Sequence, residues 1–88
     1  MRITFDPTKN LRNIEERGLS FELVRGFDFE TAIFAVDSRR DYGETRLRAL
    51  GLLVHALVFV EEATGIRIIS FRKANKREVQ HYEKSIQS

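Results

Sequence analysis

Apolar residues in this chain fall into short runs separated by polar breaks, and two of those breaks carry clear helix-start signals. Arg2 to Phe5 alternates polar and apolar and predicts a short opening strand. Asp6-Pro7 then supplies an N-cap followed by proline at the first helical position, where its missing N–H and fixed φ cost nothing. A helix is predicted from there to about Arg17. Its apolar stripe would be Leu11 and Ile14, Arg12 and Glu16 would form an exposed i,i+4 pair, and Gly18 would be the left-handed stop. Ser20 can cap a second, shorter helix on which Phe21, Leu23, Val24 and Phe27 share a face.

Thr31 to Val36 is apolar and β-prone, whereas DSRRDYGE, residues 37–44, has no periodicity and contains Gly43, so a strand followed by a loop is expected. Thr45 to Leu50 alternates, with Leu47 and Ala49 set against Arg46 and Arg48. Gly51 marks a turn into Leu52 to Val60, the longest apolar strand, and Glu61 to Gly65 closes a hairpin onto the next one. There Ile66, Ile68, Ile69 and Phe71 crowd into six residues, which suits a strand packed on both faces, interrupted by Arg67 and ending at Arg72. Asn75 is a good N-cap, and Glu78 stands three residues on, at the capping-box position, so a last helix starts there. Tyr82 follows Glu78 by four on the same helical face, while the adjacent His81 turns to a different direction. The order predicts an α+β fold with two N-terminal helices and one C-terminal helix, gathered mainly on one face. Short connections force antiparallel neighbours, hence a meander sheet of four to five strands.

Length changes the picture little: 88 residues make one domain, 1–88, with one modest core. The absence of cysteine excludes thiolate chemistry and cysteine-based zinc sites. No run reaches the roughly 18 apolar residues of a membrane span, and MRITFDPTKN lacks an apolar signal core, so a soluble, cytoplasmic protein is expected. Charge matters more. The net value is only +2, yet residues 1–36 carry five Lys/Arg against six Asp/Glu, whereas residues 66–88 carry six against two. A polyanion would feel the C-terminal quarter first.

No HExxH, phosphate-binding glycine loop, Gly-x-Ser-x-Gly elbow or paired metal-ligand spacing occurs, so neither a metal nor a cofactor is expected. What remains is cationic. Arg72, Lys73, Lys76 and Arg77 stand close to the positive end of the last helix, where cations are disfavoured unless an anion shares the site. Arg39 and Arg40 with Tyr42, Arg46 and Arg48, and Arg67 could converge on the same surface. Arginine grips phosphate with a planar fork and stays protonated, which makes it a charge stabiliser and a poor proton carrier. The plainer reading of each cluster is a solvated strand or helix end. His55, inside an apolar strand, reads as a hydrogen-bonded core or edge residue, and Tyr82 equally as a ring packed on the sheet.

Four segments, FDPTKN, RGLSFE, DSRRDYGETRLRALG and IRIISFRKANKREVQHYE, occur in order over nearly the whole chain. In these it resembles the BrnT family of bacterial type II toxins, small ribonucleases of RelE-like fold. The family commonly reads Lys-His-Gly where this chain has Glu16-Arg17-Gly18, and His-Asp-Tyr where it has Arg40-Asp41-Tyr42. Each change exchanges a titratable imidazole for a permanent cation. The resemblance implies a metal-independent endoribonuclease that stops translation and growth. In it Arg46 and Arg72 would neutralise transition-state charge, and Glu78 or Tyr82 would carry the proton. Arg39, Arg40, Arg48, Arg67, Lys73, Lys76 and Arg77 would hold flanking phosphates. It also implies a BrnA-like antitoxin with a ribbon-helix-helix domain, a two-plus-two assembly, and contact with operator DNA only through that antitoxin. The competing reading is a non-catalytic module that binds nucleic acid or protein on the same basic face.

Overall fold

The computed structural model describes residues 1–51 and 54–87. Strand β1 (Arg2–Phe5) leads into helix α1 (Pro7–Arg17) and a 3-10 helix (Phe21–Gly26). Strands β2 (Ile33–Val36), β3 (Leu47–Gly51), β4 (His55–Glu62) and β5 (Gly65–Lys73) follow, then helix α2 (Lys76–Gln87). Leu52 and Leu53, the expected start of the longest strand, lie outside the described residues. The fold is α+β with one five-stranded sheet in the order β1-β5-β4-β3-β2.

Strands β2 to β5 form the expected antiparallel meander, but β1 runs parallel to β5, so the sheet is mixed. The short-link rule governs strands joined by hairpins, and β1 is separated from β5 by most of the chain. Gly65 lets β1 approach: a Cβ there would overlap the Arg2 carbonyl oxygen.

Local signals act as read. The Asp6 carboxylate accepts the Thr8 N–H at 2.8 Å, and Gly18 closes α1 at φ 69°, donating its N–H to the Ile14 carbonyl. The docking of α1 differs from expectation. Leu11 is 62% exposed and Ile14 also faces water, while Asn13 is the buried residue. Its amide donates to the Leu19 and Phe71 carbonyls, both at 2.8 Å, and Asn10 Oδ1 accepts the Phe21 N–H at 2.7 Å. Two amides that satisfy otherwise orphaned backbone groups thus choose the inward face of α1 over its apolar stripe. The expected Arg12–Glu16 pair is not among the ion pairs of the described residues.

The second N-terminal helix is 3-10 rather than α. Phe21 and Val24, three apart, stack on its inner edge and are fully buried, whereas Leu23 points outward. These two join Ile3, Ala49, Leu57, Phe59, Ile66, Ile68 and Phe71 in one core on one face of the sheet. Helix α2 does not join the other helices there. It packs on β3, and its Glu78 reaches Arg72 on the opposite face, so the helices divide between the two sides.

One irregularity in β5 decides where the arginines point. Val58 pairs with Ser70 and Phe59 with Ile68, leaving Ile69 as the extra residue of a bulge. Ile66, Ile68 and Phe71 therefore share the core face despite the odd spacing, which replaces the expected two-faced packing with one buried face and one polar face. Arg67 and Arg72, five apart, would fall on opposite faces of a regular strand. The bulge puts both on the polar face.

Candidate functional site

Residues directly opposite in paired strands share a face, so the polar side of the sheet can be read in rows. One row is Ala35, Arg48, Val58 and Ser70; the next is Ile33, Leu50, Ala56 and Arg72. Small side chains at Ala35, Ala56 and Ser70 leave a trough, and α2 forms one wall. The result is an open cleft of about 900 Å3 whose polar lining includes Arg17, Arg39, Arg48, Arg72, Arg77, Asn75, Glu78, His81 and Ser85.

The wall begins at a reciprocal capping box. Asn75 Oδ1 accepts the Glu78 N–H, and Glu78 Oε1 accepts the Asn75 N–H, each at 2.9 Å. The same carboxylate grips Arg72 with both oxygens, Nη1 to Oε1 at 2.7 Å and Nη2 to Oε2 at 3.0 Å. The hydrogen bonds from Arg72 hold the Glu78 carboxyl below its ordinary range, against a smaller opposing effect of burial. Arg72 is correspondingly raised by Glu78. Glu78 is thus a fixed carboxylate that positions Arg72. Nη1 also donates to the Lys73 carbonyl at 3.3 Å, so Arg72 keeps its Nε–H and the second Nη2 N–H for a ligand.

A second clamp sits where the loop leaves β2. Asp37 is buried, and its oxygens take Arg39 Nε at 2.8 Å, Arg39 Nη2 at 2.9 Å and the Tyr42 hydroxyl at 3.1 Å. The Arg39 bonds hold the Asp37 carboxyl far below the usual carboxylate range despite burial. The guanidinium of Arg39 itself stays largely exposed, at the cleft.

Arg46 and Arg67 stand apart from the cleft. Glu44 bridges them, accepting Arg46 Nε at 3.2 Å and Arg67 Nη2 at 2.6 Å, and the Arg46 guanidinium lies 3.9 Å from the centre of the Tyr42 ring. Arg67 also pairs with Glu62 at 3.5 Å. Arg40 is exposed, 5.8 Å from the same Tyr42 ring. Lys73, the last residue of β5, and Lys76, the first of α2, are exposed and do not line the cleft.

Tyr82, expected as a proton carrier, is 3% exposed and donates its hydroxyl to the Thr31 carbonyl at 3.3 Å. It packs α2 down and does not present its hydroxyl to the cleft. His81 takes the exposed side instead, three residues from Glu78 on the cleft wall. Helical spacing from Glu78 could have singled it out, since i+3 and i+4 flank the same direction and only burial decides between them. His55 stacks on Phe71 with ring centroids 5.2 Å apart, on the core side. Arg48 alone among the cleft arginines of the β-strands has no hydrogen-bond or ion-pair partner among the described residues. No group of three or more metal-ligating side chains gathers among the described residues, and no helix there is long and apolar enough to cross a membrane.

Residues 5–78 match the family described as the ribonuclease toxin, BrnT, of the type II toxin-antitoxin system. No curated protein matches the sequence.

Proposed function

The chain belongs to the BrnT family, the ribonuclease toxins of type II toxin-antitoxin systems, and from this we propose that its polar-face cleft cuts RNA by internal transesterification. The ribose 2′-hydroxyl attacks the adjacent phosphorus, the P–O5′ bond breaks, and a cyclic phosphate and a free 5′-hydroxyl result. This step uses neither water nor a metal ion. The observation that carries the reading is Arg48: a guanidinium with no hydrogen bond or ion pair among the described residues, its charge felt by Glu78, in a cleft whose other strand arginine, Arg72, is already clamped in place.

In this scheme Arg48 and Arg72 neutralise the phosphorane, where a preorganised donor is worth about 10² to 10³ in rate. Arg39 and Arg77 hold flanking phosphates, and Arg46, Arg67, Arg40, Lys73 and Lys76 extend the cationic track beyond the cleft. His81 carries the proton, because Glu78 is committed to Arg72 and to the Asn75 N–H. Acid–base assistance of this kind is worth about 10² to 10⁴ in rate. Type II systems pair the toxin with an antitoxin; a ribbon-helix-helix antitoxin in a two-plus-two assembly, touching operator DNA for both proteins, completes the reading.

The test is cleavage of a labelled single-stranded RNA in EDTA by the native chain and by His81→Ala. The expected result is cyclic-phosphate ends, formed at least about a hundredfold more slowly by the variant. Binding without cleavage, even on ribosome-bound message, would leave a cationic binding module. Equal rates for the two proteins would remove His81 from the chemistry.

A further inference from the structure

The sheet has two edges, and they differ. Edge strand β1 carries Arg2 and Thr4 and is followed at once by α1. Edge strand β2 reads Ile-Phe-Ala-Val, with no charge, no proline and no bulge to discourage pairing. Phe34 and Val36 on it are 50% and 57% exposed. The Asp37 N–H bonds to the Arg46 carbonyl of the β3 side, so Ile33 and Ala35, of the same parity, also turn their backbone groups towards β3. The N–H and C=O of Phe34 and Val36 therefore face outward along the open edge, and neither residue makes a hydrogen bond to any other described segment there.

The flanks of β2 say what would pair with it. Acidic Asp28 and Glu30 precede the strand, and basic Arg39 and Arg40 follow it. Neither Glu30 nor Arg40 has an ion-pair partner among the described residues. An antiparallel copy of the same strand sets the acidic flank of one chain against the basic flank of the other, twice over, around a twofold axis. We propose that two copies of this chain join edge to edge through β2. The register centres on Ala35 opposite Ala35 of the second copy, with Phe34 opposite Val36 on either side.

That register follows from the parity of the free groups. Phe34 and Val36 exchange backbone hydrogen bonds across the axis, and Ala35 meets its counterpart at the closely spaced, non-bonded position. The exposed Phe34 and Val36 side chains cover one another on the core face. Because the axis is perpendicular to the sheet, the two cationic clefts open on the same side of one ten-stranded sheet. A polyanion longer than one cleft could then lie across both.

The test reads mass and cross-linking, so its outcome is independent of whether the chain cuts RNA. In light scattering after gel filtration, the full chain is expected to be a dimer that dissociates on dilution. Val36→Lys places two like charges within the contact and is expected to raise the dissociation constant about tenfold or more. Glu30→Arg is expected to weaken the dimer, and adding Arg40→Glu to the same chain to restore it. The chain has no cysteine, so Ala35→Cys introduces the one thiol, and about 4.5 Å between Cα atoms at a non-bonded pair suits a disulfide. Mild oxidation should link Ala35→Cys and leave a Leu23→Cys control unlinked. A monomer at every concentration, or a dimer indifferent to Val36→Lys, overturns the proposal. So would amides of Phe34 and Val36 that exchange freely in the chain alone and become protected only when antitoxin is added.

Discussion

Helices α1 and α2 are of nearly equal length, 11 and 12 residues, and each begins at a side-chain cap, yet they serve different ends. In α1 the cap at Asp6 only starts the helix, and the inward face is held by Asn10 and Asn13 to backbone groups of the 3-10 helix and β5. In α2 the capping-box Glu78 also clamps Arg72, so the start of the helix and the orientation of a cleft arginine are one structure. A helix that docks by neutral amides in its middle turns, and meets the cleft only through its last residue, Arg17, can be perturbed at those amides without touching the cleft. A helix whose first turn holds the site cannot.

The largest expected effect lies at α2. Arg72→Ala should lower RNA cleavage by about 10² to 10³, while far-UV spectra and the unfolding midpoint change little, because the side chain is partly exposed and Glu78 keeps its cap. A variant as active as the native chain would sever the helix start from the site. The converse substitution is Asn13→Ala in α1. It leaves the Leu19 and Phe71 carbonyls without their buried donor, at about 2 kcal/mol in urea unfolding, and should leave the cleavage rate of the folded protein unchanged.

Glu78→Gln divides the two roles of α2 more finely. An amide can still accept the Asn75 N–H, but it cannot hold Arg72 as an ion pair, so cleavage should fall about tenfold with little change in KM. Stability gives a second readout. The Glu78 carboxyl is depressed in the folded chain, so its contribution is present above the unfolded value of about 4.3 and is lost as pH falls through the folded one. The gap in stability between the native chain and Glu78→Gln should therefore close below about pH 4. A gap that persists in acid would mean that the amide disturbs packing rather than charge.

What could be read from the chain alone follows the same division. Asp6-Pro7, Gly18, Ser20 and Asn75 with Glu78 act within a few residues of themselves, and each sits where its chemistry predicts. The hairpins β3-β4 and β4-β5 were legible because their links are short, whereas β2 reaches β3 through the longer loop 37–46. The parallel placement of β1 depends on Gly65, sixty residues away, and no local signal announces it. The bulge at Ile69 changes which face every later residue of β5 occupies, so spacing alone could not place Arg67 and Arg72 on one side. Cationic clustering after Ile66 was visible, but its partition was not. Glu44 and Glu62 draw Arg46 and Arg67 into a separate network, and these carboxylates lie well away in sequence from Arg67 or on another strand.

The smallest expected effect tests the misread stripe of α1. If Leu11 and Ile14 packed on the sheet, Leu11→Ala would cost about 2 to 5 kcal/mol, as for a buried leucine. In the structure Leu11 is 62% exposed and Ile14 is 40% exposed, and the amides of Asn10 and Asn13 occupy the inward face. Leu11→Lys and Ile14→Lys should therefore each shift unfolding by no more than about 0.5 kcal/mol. A loss of several kcal/mol would mean that the apolar stripe, and not the amides, holds α1 against the sheet. Near-neutrality alongside a costly Asn13→Ala would establish that two hydrogen bonds to orphaned carbonyls outweigh two apolar side chains in choosing a helix's inward face.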